Sequence, residues 1–203
     1  MKLGGFQPFA LSDFPGRVAA VIFVQGCNFQ CPFCHNGPLI PPNPPSGDLI
    51  SRKLVTEFLA LRADKLDGVV ISGGEPLLQP DMEEFLKELK CLGLDVKIDT
   101  NGSRPDVLGK LIGEGLVDYI AMDIKAPLEL YARLAGIKVD EGKILQSIHL
   151  IAGSGVPHEF RTTNVESLLS MRDIEKIRSL VPDGSSYRIQ KFRKETAMES
   201  SLR

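Results

Sequence analysis

No apolar run in these 203 residues approaches the ~20 that a membrane helix needs, which excludes a helical membrane span. The first residues carry one lysine but no sustained apolar stretch ending in small residues, so they do not read as a secretory signal, and the cytoplasm is the expected compartment. Lysine plus arginine (24) and aspartate plus glutamate (26) leave a net charge of −2, without the basic excess that draws a protein to nucleic acid. Neither an internal repeat nor a low-complexity segment is evident. Cysteines number four, and three of them crowd into residues 27–34. Crowding of that kind in a reducing compartment favours metal ligation over disulfides. Cys91 stands apart and reads as a small buried apolar residue at a helix end. What remains is an ordinary globular composition, 43% hydrophobic and 25% charged. The length suits one domain over residues 1–203 that buries roughly 70% of its unfolded surface.

Short apolar runs rich in β-branched residues recur along the chain. Residues 18–24, 68–72, 94–98, 117–122, 159–163 and 187–192 read as six strands. Between them lie helical patterns: Leu54-Val55 with Phe58-Leu59, Met82 with Phe85-Leu86 and Leu89, Val107-Leu108 with Leu111-Ile112, Ile144-Leu145 with Ile148, and Ile174 with Ile177. Asp81 is placed to start the second helix and Gly93 to end it in a left-handed turn. The proline-rich tract 41–47 predicts a stiff loop. Residues 1–17 read as an N-terminal extension and the last ten or so, from Arg193, as a frayed tail. Strands alternating with helices imply parallel βαβ units. Six units are too few to close an eight-stranded barrel, so the expected fold is α/β, an open partial (β/α)6 barrel with parallel strands. In that geometry the loops after the strands share one face, and the informative residues all fall there: the cysteines, Gly73-Gly74-Glu75-Pro76, Asp99-Thr100-Asn101-Gly102 and Asp123-Ile124-Lys125.

The cysteine segment has the spacing C-x3-C-x2-C, with Phe33 before the last cysteine. Three thiolates on a four-iron cluster leave one iron without a protein ligand. An open iron can chelate the amino and carboxylate groups of a molecule such as S-adenosylmethionine (SAM), bringing its sulfonium to the electron source. Reduction would then cleave a sulfur–carbon bond and release a 5′-deoxyadenosyl radical that abstracts hydrogen. A closed zinc site of Cys27, Cys31, Cys34 and His35 is the bland alternative, although adjacent Cys34 and His35 are awkward for one tetrahedral ion. The two glycines of the 73–76 turn permit close backbone approach. Asp99 and Asp123, at the ends of consecutive strands, place two anions at the barrel mouth, where Lys125 or a bound cation could balance them.

Together with Ser12-Asp13-Phe14-Pro15-Gly16-Arg17, Gln25-Gly26-Cys27 and Cys34-His35-Asn36, these segments resemble the radical SAM superfamily, and within it the activases of glycyl-radical enzymes. The likeness is strongest to activators of anaerobic ribonucleoside-triphosphate reductase, with pyruvate formate-lyase activators next. It implies an oxidoreductase that takes hydrogen from a glycine of a partner enzyme, with Cys27, Cys31 and Cys34 holding a [4Fe-4S] cluster. It implies that Phe33 and the backbone of Cys34 and His35 contact adenine, and that Gly73 and Gly74 meet the SAM amino group while Glu75 supports their loop. Asp99, Thr100, Asp123 and the Ala121 carbonyl would form a monovalent cation site, and Lys125 would contact the SAM carboxylate. The histidine that activases carry after the fifth strand has no counterpart in residues 163–169, and Arg161 is the candidate to replace its charge. His149 and His158 do not inherit that role. A low-potential flavodoxin or ferredoxin is the expected electron donor. A radical SAM enzyme acting on a small molecule, like the 7-carboxy-7-deazaguanine synthases, and a zinc-stabilised binding module stand as the competing functions.

Overall fold

A computed structural model describes residues 1–44 and 49–202. Seven strands form one sheet in sequential order: β1 (Leu3–Ala10), β2 (Ala19–Val24), β3 (Gly68–Gly73), β4 (Asp95–Thr100), β5 (Tyr119–Asp123), β6 (His158–Asn164) and β7 (Ser186–Lys191). From β2 to β7 every neighbouring pair is parallel, whereas β1 runs antiparallel to β2. Among the described residues β1 and β7 do not pair, so the sheet stays open. The six expected strands are all present. β1 is the addition, inside what reads from sequence as an extension. Two glycines and Pro8 mask its strand character, and only an edge strand tolerates such a proline.

The helices are α1 (Arg52–Arg62), α2 (Met82–Cys91), α3 (Pro105–Gly113), α4 (Tyr131–Ala135), α5 (Glu141–Gly153) and α6 (Met171–Leu180). Five follow the expected patterns; α4 is too short to show a period. Each of the five buries a stripe on the convex side of the sheet, as α2 does with Met82, Phe85, Leu86 and Leu89. Burying a side chain such as Phe85, with no residual exposure, contributes roughly 1.5–3 kcal/mol. The stripe also corrects the reading of Cys91, which ends α2 but is exposed because it falls off the face that Leu89 presents. Asp81 precedes α2 without capping it; its carboxylate instead pairs with the Met1 amino group at 2.6 Å and Arg52 at 2.7 Å. Gly93 follows the helix with φ +76°, as expected. Of the proline tract, residues 41–44 lie outside helix and strand, and residues 45–47 lie outside the described residues. No helix among the described residues is long and apolar enough to cross a membrane.

Alternation along the strands sends Val69, Ile71, Val96, Ile98, Ile120 and Met122 outward to the helices. The other set lines the concave side. At the N-terminal ends of the strands Ala19, Val21 and Val70 pack with Ala10 and Phe14, which plugs the bottom. At the C-terminal ends the same side carries Ser72, Asp99, Asp123, Arg161 and Thr163.

Candidate active site

The cysteine loop leaves β2 and is held by backbone contacts on several sides. Gly26 N–H donates to the Leu39 carbonyl at 2.8 Å, Cys27 N–H to Ile40 at 3.0 Å and Gln30 N–H to Ala135 at 2.8 Å. Phe29 and Phe33 are buried beneath the loop, and Phe29 meets Tyr131 edge to face with ring centroids 6.5 Å apart. Two thiols receive backbone donors: Phe29 N–H lies 3.4 Å from Cys27 Sγ and Asn36 N–H 3.3 Å from Cys34 Sγ. All three cysteines are free and line one cleft. Burial pushes the Cys27 thiol up to about 12 and the Cys31 thiol up to about 11, with Lys125 pulling both the other way. Both carry their protons at neutral pH. Among the described residues no three His, Cys, Asp or Glu side chains converge on a position for one metal ion.

The β3 turn abuts this loop. Gly74 N–H donates to the Val24 carbonyl and Glu75 N–H to the Gly26 carbonyl, both at 2.9 Å. A Cβ on Gly74 would sit 2.1 Å from the Gly26 oxygen, and Gly73, at φ +105°, would drive one into the β2 backbone. The glycine pair is therefore required by strand-end packing, whatever else the turn holds. Glu75 is buried, and its carboxylate accepts from Thr100 Oγ1 at 2.8 Å, Asn101 N–H at 2.8 Å and Leu77 N–H at 3.1 Å. It ties the β3 turn to the β4 turn. Burial raises its carboxyl to about 7, against these donors, which favour the ionised form. Thr100 is spent in the same knot, since its hydroxyl also accepts from Gly102 N–H at 3.1 Å.

Asp99 and Asp123 both lie on the concave side, and their charge is met by side chains. Lys97 Nζ lies 2.5 Å from Asp99 Oδ1, and Ser72 Oγ donates to Asp99 Oδ2 at 3.1 Å. Arg161 Nε donates to Asp123 Oδ1 at 2.8 Å, while its Nη1 lies 3.5 Å from Asp99. Lys125 Nζ donates to the other Asp123 oxygen at 3.0 Å. Burial alone would raise the Asp123 carboxyl, but Arg161 and Lys125 outweigh it and hold the group well below the carboxylate range. Burial would likewise lower Lys125, yet the Asp123 carboxylate against it keeps the ammonium charged. Glu159 sits one layer lower, 4.0 Å from Arg161 and 3.1 Å from Arg188.

Thirteen of the residues singled out from sequence border this cleft: Cys27, Cys31, Phe33, Cys34, His35, Gly73, Gly74, Glu75, Asp99, Thr100, Asp123, Lys125 and Arg161. Ala121 lies beneath, on β5. His35 lines the cleft but is engaged from outside, its ring stacked on Phe192 at 5.7 Å and its Nε2 accepting from Arg193 N–H at 3.2 Å. The tail expected to fray thus lies along the cysteine loop. Ala197 is fully buried and Glu199 N–H donates to the Pro32 carbonyl at 2.9 Å, because Phe192 and Ala197 have apolar surface to cover. His149 is exposed on α5, and His158 starts β6 at the opposite end from the cleft. Lys97, which pairs with Asp99, and Gln190, on the cleft wall, were missed as site residues. Lys97 could have been found from its period-two spacing to Asp99; nothing local marks Gln190.

The radical SAM superfamily model matches residues 21–180, from β2 to the end of α6. The "Putative glycyl-radical enzyme activating enzyme MJ1227" of Methanocaldococcus jannaschii is 36% identical over 208 positions, covering 99% of this chain and 84% of that protein. The pyruvate formate-lyase-activating enzyme of Staphylococcus epidermidis is 40% identical over 93 residues, 44% of this chain and 37% of that one. Among solved structures, anSMEcpe with bound AdoMet superposes with a TM-score of 0.64 at 16% identity, over 83% of this chain and 49% of that chain, a likeness of fold. This chain spans less than two thirds of those last two proteins. With a relative aligned from end to end and a family match that takes in both the cysteine loop and the charged strand ends, the chain belongs to the radical SAM superfamily.

Proposed function

We propose that this protein is a radical SAM activase that takes a hydrogen atom from a glycine of a partner enzyme, an anaerobic ribonucleoside-triphosphate reductase. The observation that carries the reading is the meeting, in one cleft, of three free thiols with the Gly73-Gly74 turn and the Asp99, Asp123 and Lys125 strand ends. Cys27, Cys31 and Cys34 would hold a [4Fe-4S] cluster with one iron lacking a protein ligand. The donor set fits: the only other cysteine, Cys91, is exposed on α2, and the three thiols do not converge on a single ion as zinc would require. His35 Nε2 accepts from Arg193 N–H at 3.2 Å, which counts against His35 as the fourth ligand of the zinc alternative. When bound, the cluster and SAM supply reductive cleavage of the sulfonium and the carbon radical that removes hydrogen.

The chain's own residues bind and orient. Phe33 and the backbone of Cys34 and His35 take the adenine, the Gly73-Gly74 turn the SAM amino group, and Lys125 the SAM carboxylate. Lys125 remains charged because Asp123 lies against it, and Arg161 fixes Asp123 from the other side. The guanidinium between Asp99 and Asp123 supplies the charge a monovalent cation would bring. The open sheet leaves a side through which a protein loop can reach the cleft.

Anaerobic iron reconstitution should produce a [4Fe-4S] absorption spectrum, and dithionite with SAM should yield 5′-deoxyadenosine. Mixing with the reductase should then generate a glycyl radical signal in electron paramagnetic resonance. Tight zinc with no iron uptake would sink the cluster; 5′-deoxyadenosine without a glycyl signal would sink the partner assignment alone.

A further inference from the structure

The segment after β7, residues 192–202, turns back across the outside of the cysteine loop as a strap. It meets the loop at Pro32, His35 and Gly37. Glu199 N–H donates to the Pro32 carbonyl at 2.9 Å, and Arg193 N–H to His35 Nε2 at 3.2 Å. The Phe192 ring stacks on the His35 imidazole with centroids 5.7 Å and planes 13° apart. Met198 lies over Gly37, where an added Cβ would meet its Cγ at 3.3 Å. The strap is anchored as well: Ala197 is fully buried, and Leu202 packs on the core. The two halves of the cysteine loop are fixed differently. Gly26 and Cys27 hang from Leu39 and Ile40, and Gln30 from Ala135. Residues 31–36 bond to one another, Cys34 N–H to the Cys31 carbonyl at 3.0 Å and Asn36 N–H to Cys34 Sγ at 3.3 Å. They reach the sheet through Asn36 Nδ2, which donates to the Gly73 carbonyl at 3.3 Å. This second half has one face on the cleft, at Phe33, Cys34, His35 and Asn36, and the strap on the other.

We infer that the strap positions the adenine side of the cleft, and that Phe192 is a positioning residue for SAM, acting through His35. The inference rests on the activase reading, which gives adenine to Phe33 and the backbone of Cys34 and His35. A short turn with few ties of its own must be ordered by something, and ordering that waits for the ligand is subtracted from its affinity. The stack and the hydrogen bonds at Pro32 and His35 order the turn beforehand. The methionine half of SAM is assigned to the Gly73-Gly74 turn and Lys125, whose supports are elsewhere: the Val24 carbonyl for Gly74, and Tyr131 and Asp123 for Lys125. Releasing the strap should therefore weaken the hold on adenine and spare the hold on the amino and carboxylate groups.

The test separates the two halves of the ligand, on reconstituted protein without reductant. Phe192→Ala removes the stack, Phe192→Tyr keeps it, and Ala197→Glu sets a carboxylate in the buried anchor; neither position lines the cleft. Equilibrium binding should show SAM held at least fivefold more weakly by Phe192→Ala and by Ala197→Glu, and within twofold of wild type by Phe192→Tyr. Methionine alone should bind wild type and all three variants within twofold, at equal iron content. Unchanged SAM affinity in Phe192→Ala overturns the role of Phe192, whether or not Ala197→Glu folds. Equal losses for SAM and methionine, or loss of iron in step with loss of SAM, would make the strap a support of the whole loop and overturn the adenine assignment. Wild-type protein that holds a cluster yet binds no SAM would instead strike the activase reading.

Discussion

The two ends of the concave face are made by the same strands and do opposite things. At the lower end Val21 and Val70 close around Phe14, whose ring lies 5.9 Å from that of Tyr119 and beneath the Arg17 guanidinium, and the space is filled. One or two residues further along, the inward positions become Ser72, Asp99 and Asp123, and the space opens into the cleft. Alternation puts both sets on one side of the sheet, so periodicity does not separate core from site. What separates them is how burial is compensated. The plug needs only close packing, whereas each charge above it must find a partner or remain desolvated at a cost of several kcal/mol.

That contrast can be broken from either end. Cys31→Ala should have the largest effect: iron uptake short of a full cluster and no 5′-deoxyadenosine, measured by iron analysis and chromatography, with the apoprotein still folded by circular dichroism. Phe14→Ala should do the reverse. It should cost about 3–5 kcal/mol in urea unfolding while the surviving folded protein still binds its full complement of iron. Arg161→Ala tests the charge balance between them. Wild-type SAM affinity should be indifferent to sodium or potassium; the variant should bind SAM at least tenfold more weakly and regain part of that loss with a monovalent cation, read by equilibrium binding. Indifference in the variant too would remove Arg161 from the role assigned to it.

Glu75 gives a smaller effect whose sign follows from its environment. The folded carboxyl keeps its proton up to about 7, against an ordinary value of 4.5. The stabilisation is therefore present in full below 4.5 and lost as pH rises through 7. Between those limits wild-type apoprotein should lose about 3 kcal/mol relative to Glu75→Gln, which does not titrate, in urea unfolding across the range. A constant difference between the two would show that the donors from Thr100, Asn101 and Leu77 prevail over burial. Cys91→Ser should be smallest, within about 0.5 kcal/mol of wild type and with unchanged iron content, since the thiol is exposed.

The parts of the molecule legible in the sequence are those with a local cause. Cysteine spacing, the Gly73-Gly74 turn and the stripes of α2 and α5 are set within a few residues, and each reads directly. β1 was not legible because its pairing with β2 overrides two glycines and a proline. The docking of Phe192 and Ala197 on the cysteine loop was hidden for the same reason: the contact spans more than 150 residues and leaves no local pattern.

From sequence alone one could derive a parallel α/β fold, a three-thiol metal site and two carboxylates at neighbouring strand ends. Which cations those carboxylates take was decided only by tertiary structure. Asp123 stands opposite Arg161 because β5 and β6 pair in that register, and Lys97 reaches Asp99 because both point to the concave side. Shifting the register by one residue would turn every one of these charges to the other face. Register is set by packing across the whole sheet, which no short segment of the chain encodes.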